Sequence, residues 1–146
     1  MNYRKLSPAE ISQLERQGCS SPDWGLLDVA EPFDAGRYRN VRFIGKVSLA
    51  PAQGVKCFIP GVPQQTGIYD ATVADCTIGR DVFIHGVRGA LVNLDIEDDV
   101  RIESVFSITC EGETSFGNGV RVSVLSETGG REVSINTELS APVAYM

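Results

Sequence analysis

The sequence lacks several features that would assign it at once to a familiar class of protein. Its 146 residues contain no apolar run long enough to cross a bilayer and no Cys-x-x-Cys pair, and they include only one histidine. These absences exclude a membrane-spanning helix and the usual cysteine spacing of zinc and redox sites. The first residues also lack the apolar stretch of a secretion signal, so we expect a cytoplasmic protein with reduced thiols.

The sequence also has fewer basic than acidic residues. There are 13 basic and 19 acidic residues, and the net charge of −6 argues against a general affinity for nucleic acid or for an anionic membrane. The balance is uneven, because residues 35–69 contain basic but no acidic side chains, whereas residues 70–113 are strongly acidic. The basic segment would suit a phosphate-bearing ligand contacted by Arg37, Arg39 and Arg42, or it would pair with an acidic coil or neighbouring subunit.

The head of the chain carries the signals of a short helix followed by strands. A Ser-Pro-Ala-Glu capping box at residues 7–10, with Gly18 as the stop, predicts a helix over residues 8–17. We expect a helical cap over residues 1–36. Apolar and polar residues then alternate, which predicts a basic strand region over residues 37–70, either as an opening hairpin or as an irregular first coil.

An internal repeat characterises residues 71–138. Similar motifs begin at Ile78, Ile96 and Phe116, and apolar residues recur every six positions from Ile78 to Ile108. A six-residue unit suits one short strand and a turn, and three such units close a coil of about 18 residues. An amphipathic helix does not return to the same face with this period, and the hairpin signals of an antiparallel sheet are missing. The repeat therefore predicts a parallel β-helix.

Beyond the repeat, six stretches carry a resemblance to known proteins: residues 2–6, 40–43, 67–72, 76–79, 111–119 and 129–133. The hexads resemble the hexapeptide-repeat superfamily. The whole chain looks more closely like the N-terminal part of an uncharacterised family of long bacterial hexapeptide-repeat proteins. This resemblance implies a mainly β fold, a left-handed parallel β-helix with triangular coils. The apolar segment 139–146 has no polar cap, so we expect it to be a point of truncation or to fold back over the last coil.

The same resemblance implies a candidate site. Many hexapeptide-repeat proteins are acyltransferases in which a histidine acts as general base in a groove between the subunits of a trimer. The single histidine, His85, follows inward-facing Ile84, so we expect it to point outward, either as such a base or as a plain surface residue. Arg88 interrupts the apolar pattern and would either bind an anion nearby or mark a bulged corner. The carbonic anhydrase type is excluded, because its zinc needs three histidine ligands.

Two functions stay open at this point. The first is the opening part of a transferase acting on a sugar or a nucleotide sugar, with His85 as the base and the four arginines as ligand contacts. The second is a non-catalytic structural or oligomerisation module, with a trimer favoured. The sequence indicates no particular substrate, reaction or cofactor. No metal site is expected, because the acidic residues between 95 and 103 lack the spacing of a known cation loop.

Overall fold

The computed structural model describes residues 2–112 and two short strands further along the chain. The helix α1 spans Pro8–Arg16. The strands are β1 (Tyr3–Lys5), β2 (Leu27–Ala30), β3 (Tyr38–Ile44), β4 (Val47–Leu49), β5 (Val55–Ile59), β6 (Val62–Gln65), β7 (Gly67–Ala74), β8 (Thr77–Ile78), β9 (Phe83–His85), β10 (Leu91–Val92), β11 (Asp95–Ile96), β12 (Arg101–Glu103), β13 (Ile108–Thr109), β14 (Arg121–Val122) and β15 (Val133–Ser134).

Contacts within the chain divide it into two units, Met1–Cys110 and Glu111–Met146. The second unit contains the antiparallel pair β14–β15. The predicted start of the third motif copy, Phe116, and the predicted apolar segment 139–146 lie outside the described residues. Everything that follows concerns the first unit.

The capping box predicted at the head of the chain forms as expected. The Glu10 carboxylate accepts a hydrogen bond from the Ser7 amide at 2.7 Å, and the Ser7 hydroxyl accepts one from the Glu10 amide at 3.4 Å. Arg4 pairs with Glu10 at 2.7 Å, and this contact above all lowers the pKa of Glu10 to about 2. Leu14 packs the helix onto the core and is fully buried. The predicted helix is therefore confirmed, ending one position before the expected end.

The first unit contains two larger sheets, which form its body, and one separate hairpin. The first sheet has the order β1-β2-β4-β8-β11, in which only the β1–β2 pair is antiparallel. The second is a curled, six-stranded parallel sheet with the order β12-β9-β7-β10-β13, and β3 also pairs with β7. Strands β5 and β6 form an antiparallel hairpin of their own, whereas β3 and β4 of the predicted basic strand region join the two larger sheets.

The left-handed parallel β-helix predicted from the repeat and the family resemblance is wrong for this chain. The spacing of one predicted coil is present where Ile78 pairs with Ile96. It is shorter where Ile68 pairs with Ile84, and it is longer where β2 pairs with β4. The observed architecture is mainly β with one helix, and it combines parallel, mixed and antiparallel sheets. A six-residue period fixes which side chains point inward, but it does not fix the sheet that each strand joins.

Apolar side chains at paired positions stack to form the core. Ile68, Ile84 and Ile102 lie at matching positions of β7, β9 and β12, and the first two are at most 1% exposed. On the other sheet, Leu49, Ile78 and Ile96 form an equivalent row. Each buried aliphatic side chain of this kind contributes about 1.5–3 kcal/mol by leaving water, so these rows hold the outer faces of the sheets in a fixed position.

Candidate functional site

A row of four polar side chains crosses the outer face of the six-stranded sheet. Strand pairing sets Arg39 opposite Tyr69, Tyr69 opposite His85, and His85 opposite Glu103. Since Ile84 is fully buried and successive side chains of a strand alternate, His85 faces outward, with 45% of its side chain exposed. Sequence reasoning singled out Arg39 and His85 but did not place Tyr69 between them, because the pairing of β7 with β9 does not follow the six-residue period.

His85 lies between two carboxylates. Its Nε2 is 3.7 Å from Asp70 Oδ2, and its Nδ1 is 3.6 Å from Glu103 Oε1. Both distances are slightly longer than a direct hydrogen bond, and the buried Nδ1 has no hydrogen-bond partner among the described residues. Asp70 is itself oriented by the side-chain amide of Asn40, which donates to Asp70 Oδ1 at 2.7 Å. The imidazole is therefore flanked by two carboxylates without a direct hydrogen bond to either of them among the described residues.

An aromatic patch adjoins the polar row and consists of Phe58, Tyr69 and Phe83. The Phe83 ring lies 6.3 Å from that of Phe58 and 6.1 Å from those of Tyr69 and His85. These separations suit offset or tilted aromatic packing. Burial in this patch raises the pKa of the Tyr69 hydroxyl. Because Phe58 belongs to β5, the patch fastens the hairpin to the outer face of the sheet.

Polar contacts anchor the base of the hairpin β5–β6, here called the arm (residues 55–65). Asp81 Oδ1 accepts hydrogen bonds from the amides of Gln53 and Gly54 at 2.9 and 2.8 Å, and from the Thr66 hydroxyl at 3.2 Å. Burial acts to raise the pKa of Asp81, but these hydrogen bonds outweigh it and hold the pKa below its usual value. Thr66 is fully buried. The base of the arm is therefore a fixed structure.

The two faces of the arm are reversed relative to an ordinary surface hairpin. Lys56 and Phe58 turn toward the body of the unit, where Lys56 Nζ lies 2.8 Å from Asp99 Oδ1. The opposite face carries three exposed aliphatic residues, Val55, Ile59 and Val62, which are 62%, 40% and 45% exposed, and the uncharged Gln65 opposite Val55. The thiol of Cys57 is exposed on the same face. Sequence reasoning missed this face, although the alternation of residues 55–59 around Lys56 carries the signal.

The structure separates the four arginines that the sequence suggested as ligand contacts. Arg37 is committed to the fold, since its guanidinium donates to the carbonyl oxygens of Gln53 and Gly54 at 3.0 and 3.3 Å. Arg39 and Arg88 are exposed, and neither guanidinium forms a hydrogen bond or an ion pair within residues 2–112. Arg42 lies in a groove, described next. The four side chains do not form one site.

The groove containing Arg42, here called the strand groove, has a volume of about 360 Å³. Its polar lining includes Ser20, Asn40, Arg42, Asp70 and Thr72. Neither His85 nor Arg88 lines this groove, and neither lines two further cavities beside Gly79 and Pro51. The strand groove touches the His85 environment only through Asp70.

The described part of the chain contains neither a candidate metal site nor a candidate membrane-spanning helix. Residues 2–112 bring together no group of three or more histidine, cysteine, aspartate or glutamate side chains that would hold a metal ion. Among the same residues, no helix has the length and apolar character needed to cross a bilayer.

Comparison with known proteins assigns the chain to a family. The family model for a domain of unknown function, DUF4954, matches residues 3–146, so the chain belongs to that family. The chain is also similar to an uncharacterized protein of Treponema pallidum (strain Nichols), with 29% identity over 142 residues. These residues cover 90% of the chain but 20% of the relative, so the chain spans about a fifth of the relative's length. No solved structure matches.

These matches support part of the family resemblance drawn from the sequence. Membership of a family of unknown function is confirmed. Membership of the wider hexapeptide-repeat superfamily stays a prediction, as do the predicted domain limits and the ligand roles of the arginines.

Proposed function

We propose that the first unit is a non-catalytic assembly module that self-associates through the arm. The observation that carries this proposal is the arrangement of the hairpin: its charged residue, Lys56, faces the body, whereas the aliphatic residues Val55, Ile59 and Val62 face water. Covering apolar surface is favourable by about 25 cal/mol per Å². A rigid hairpin that presents an apolar face is therefore suited to docking on another protein surface.

A second copy of this chain is the partner that best fits the arm. In a contact across a two-fold axis, the apolar face of one arm packs on the same face of its counterpart, which makes the surface self-complementary. The exposed side chains of this face, Val55, Cys57, Ile59 and Val62, carry no charge, so the net charge of −6 creates no direct repulsion at the contact. Both outer edges of the arm are unpaired in the described structure, which leaves room for strand addition.

The anchoring of the arm supports its role in docking. Arg37 and Asp81 both bind the backbone of Gln53 and Gly54. The Arg37 guanidinium donates to the two carbonyl oxygens, and the Asp81 carboxylate accepts from the two amides. A surface held in place in this way loses little conformational entropy when a partner binds. The apolar face alone is smaller than the roughly 800 Å² per partner of a standard interface, so we expect reversible, concentration-dependent association.

Sedimentation velocity over a range of protein concentrations tests this proposal. We expect the wild-type chain to shift from monomer toward a larger species as its concentration rises. The double variant Val55→Ser/Ile59→Ser removes apolar contacts and should remain monomeric. Leu26→Ser is the matched control, because Leu26 is an aliphatic residue that is 43% exposed but lies outside the arm, and it should associate as the wild type does. A monomeric wild type at all concentrations would contradict the proposal.

A second candidate function, a transferase acting on a sugar or a nucleotide sugar, is favoured by the setting of His85. An imidazole flanked by Asp70 and Glu103 is a reasonable general base for acyl transfer. The release of free thiol from an acyl thioester, measured with a panel of sugar acceptors, tests this function. Turnover that falls about 100-fold or more in His85→Gln would support it. A wild-type chain that releases no thiol, with sugars and nucleotide sugars both tested as acceptors, would count against the transferase function.

A further inference from the structure

The strand groove contains a cation, the Arg42 guanidinium, that forms no hydrogen bond or ion pair with residues 2–112. Arg42 is exposed on β3 between buried Val41 and Phe43, so its side chain points outward into the groove. No carboxylate lies within salt-bridge distance of Arg42 among the described residues, whereas Arg37 is consumed by its contacts with Asp34 and with backbone carbonyls. Within the described part of the chain, the donors of the Arg42 guanidinium are therefore open to a ligand.

Hydroxyl groups flank this arginine on both sides. The backbone of Ser20 forms an isolated parallel β-bridge with that of Arg42, and Arg42 pairs with Thr72 between β3 and β7. The three residues therefore occupy matching positions on three adjacent parallel segments. Neighbouring strands lie about 4.8 Å apart, so the residues that carry the two hydroxyls stand directly beside Arg42, one on each side. A guanidinium with a hydroxyl donor on either side is a suitable set of donors for a phosphate group.

A carboxylate that also lines the groove limits which ligand would fit. Asp70 lines the same cavity, and its Oδ1 already accepts from the Asn40 amide at 2.7 Å. An inorganic anion would gain nothing from this carboxylate. A ligand that carries hydroxyl groups as well as an anion would use both Arg42 and Asp70, because a carboxylate oxygen accepts more than one hydrogen bond.

From this arrangement we propose that the strand groove binds a small polyol phosphate. The phosphate contacts Arg42 with Ser20 and Thr72, and a ligand hydroxyl donates to Asp70. The groove volume of about 360 Å³ is in the lower part of the range for small-molecule sites. This site is separate from the arm, so its test does not depend on self-association.

Isothermal titration of the full chain with three probes, glycerol 3-phosphate, inorganic phosphate and glycerol, tests the proposal. We expect glycerol 3-phosphate to bind more tightly than phosphate, and glycerol to bind most weakly. Arg42→Gln should weaken the binding of glycerol 3-phosphate by about tenfold or more, the size expected for loss of hydrogen bonds from a charged donor. Circular dichroism spectra verify that each variant is folded.

Two further variants separate a built site from general electrostatic attraction. Arg39→Gln removes an equally charged, exposed side chain from the same strand outside the groove, and it should leave affinity within about twofold, since exposed charges contribute weakly. Asp70→Asn should reduce the preference for glycerol 3-phosphate over phosphate. The proposal is overturned if no probe binds, if Arg42→Gln binds as the wild type does, or if Arg39→Gln and Arg42→Gln weaken binding equally.

Discussion

The ammonium group of Lys56 lies 2.8 Å from the carboxylate of Asp99. This pair joins the arm to the acidic segment that precedes β12. The hydrogen bond to Asp99 raises the pKa of Lys56. Part of the charge asymmetry in the sequence is therefore satisfied within the chain. The pair also turns the only charged side chain of the arm toward the body, which leaves the outer face apolar.

Asp81 is predicted to be the main anchor of the arm. Replacing it with alanine removes the acceptor for two backbone amides and the Thr66 hydroxyl, at a residue whose φ is 50°. We expect Asp81→Ala to lower the free energy of unfolding by about 2–3 kcal/mol. Asp81→Asn keeps an acceptor oxygen and tolerates positive φ, so it should cost less than about 1 kcal/mol. Urea unfolding of both variants measures this difference, and equal costs would contradict the role.

Glu10 is predicted to make stability depend on pH at the acidic end. Its pKa in the folded chain is about 2, below the ordinary value of 4.5, mainly because of Arg4. The ionised form therefore stabilises the fold above about pH 4.5, and this contribution is lost as the pH falls toward 2. Urea unfolding between about pH 2 and pH 6 should show a shallower pH dependence in Glu10→Gln and also in Arg4→Gln. An unchanged slope in both variants would be inconsistent with this pairing.

Gly79 is predicted to be required by close backbone packing. A methyl group at this position would lie 2.5 Å from the carbonyl carbon of Glu97, and backbone atoms cannot move aside cheaply. We expect Gly79→Ala to cost about 1–3 kcal/mol of stability, as overpacking usually does. Gly61→Asn is the control, because nothing lies within 4 Å of a side chain there and asparagine tolerates its φ of +79°. Thermal unfolding compares the two, and equal shifts would contradict the packing argument.

Local signals in the sequence predict local structure well in this chain. The capping box at residues 7–10 gives α1. The six-residue period correctly predicts the inward positions of Ile78, Ile84 and Ile96. It also gives the register between β8 and β11, because both are short strands joined by segments of repeat length. These features depend on interactions between residues close in sequence or one repeat apart.

The arrangement of sheets and the site depend on longer and unequal spacings. Tyr38 pairs with Ile68 across a stretch of chain that includes the whole arm, and this stretch lies before the repeat, so the repeat does not predict the register. The pairing of β7 with β9 does not follow the six-residue period; it aligns Tyr69 with His85, and the adjacent Asp70 lies beside both His85 and the strand groove. The sequence therefore indicated single candidates such as His85 and Arg42 without indicating their surroundings.

Cross-linking through Cys57 tests self-association by the arm most directly. In a two-fold contact of the arms, the exposed Cys57 thiols of two copies lie near the centre of the interface. A short thiol-reactive bifunctional reagent should therefore give a covalent dimer that Cys57→Ser abolishes and that Val55→Ser/Ile59→Ser reduces strongly. A wild-type chain that forms no dimer, or a Cys57→Ser variant that cross-links as efficiently, would contradict the assembly proposed for this protein.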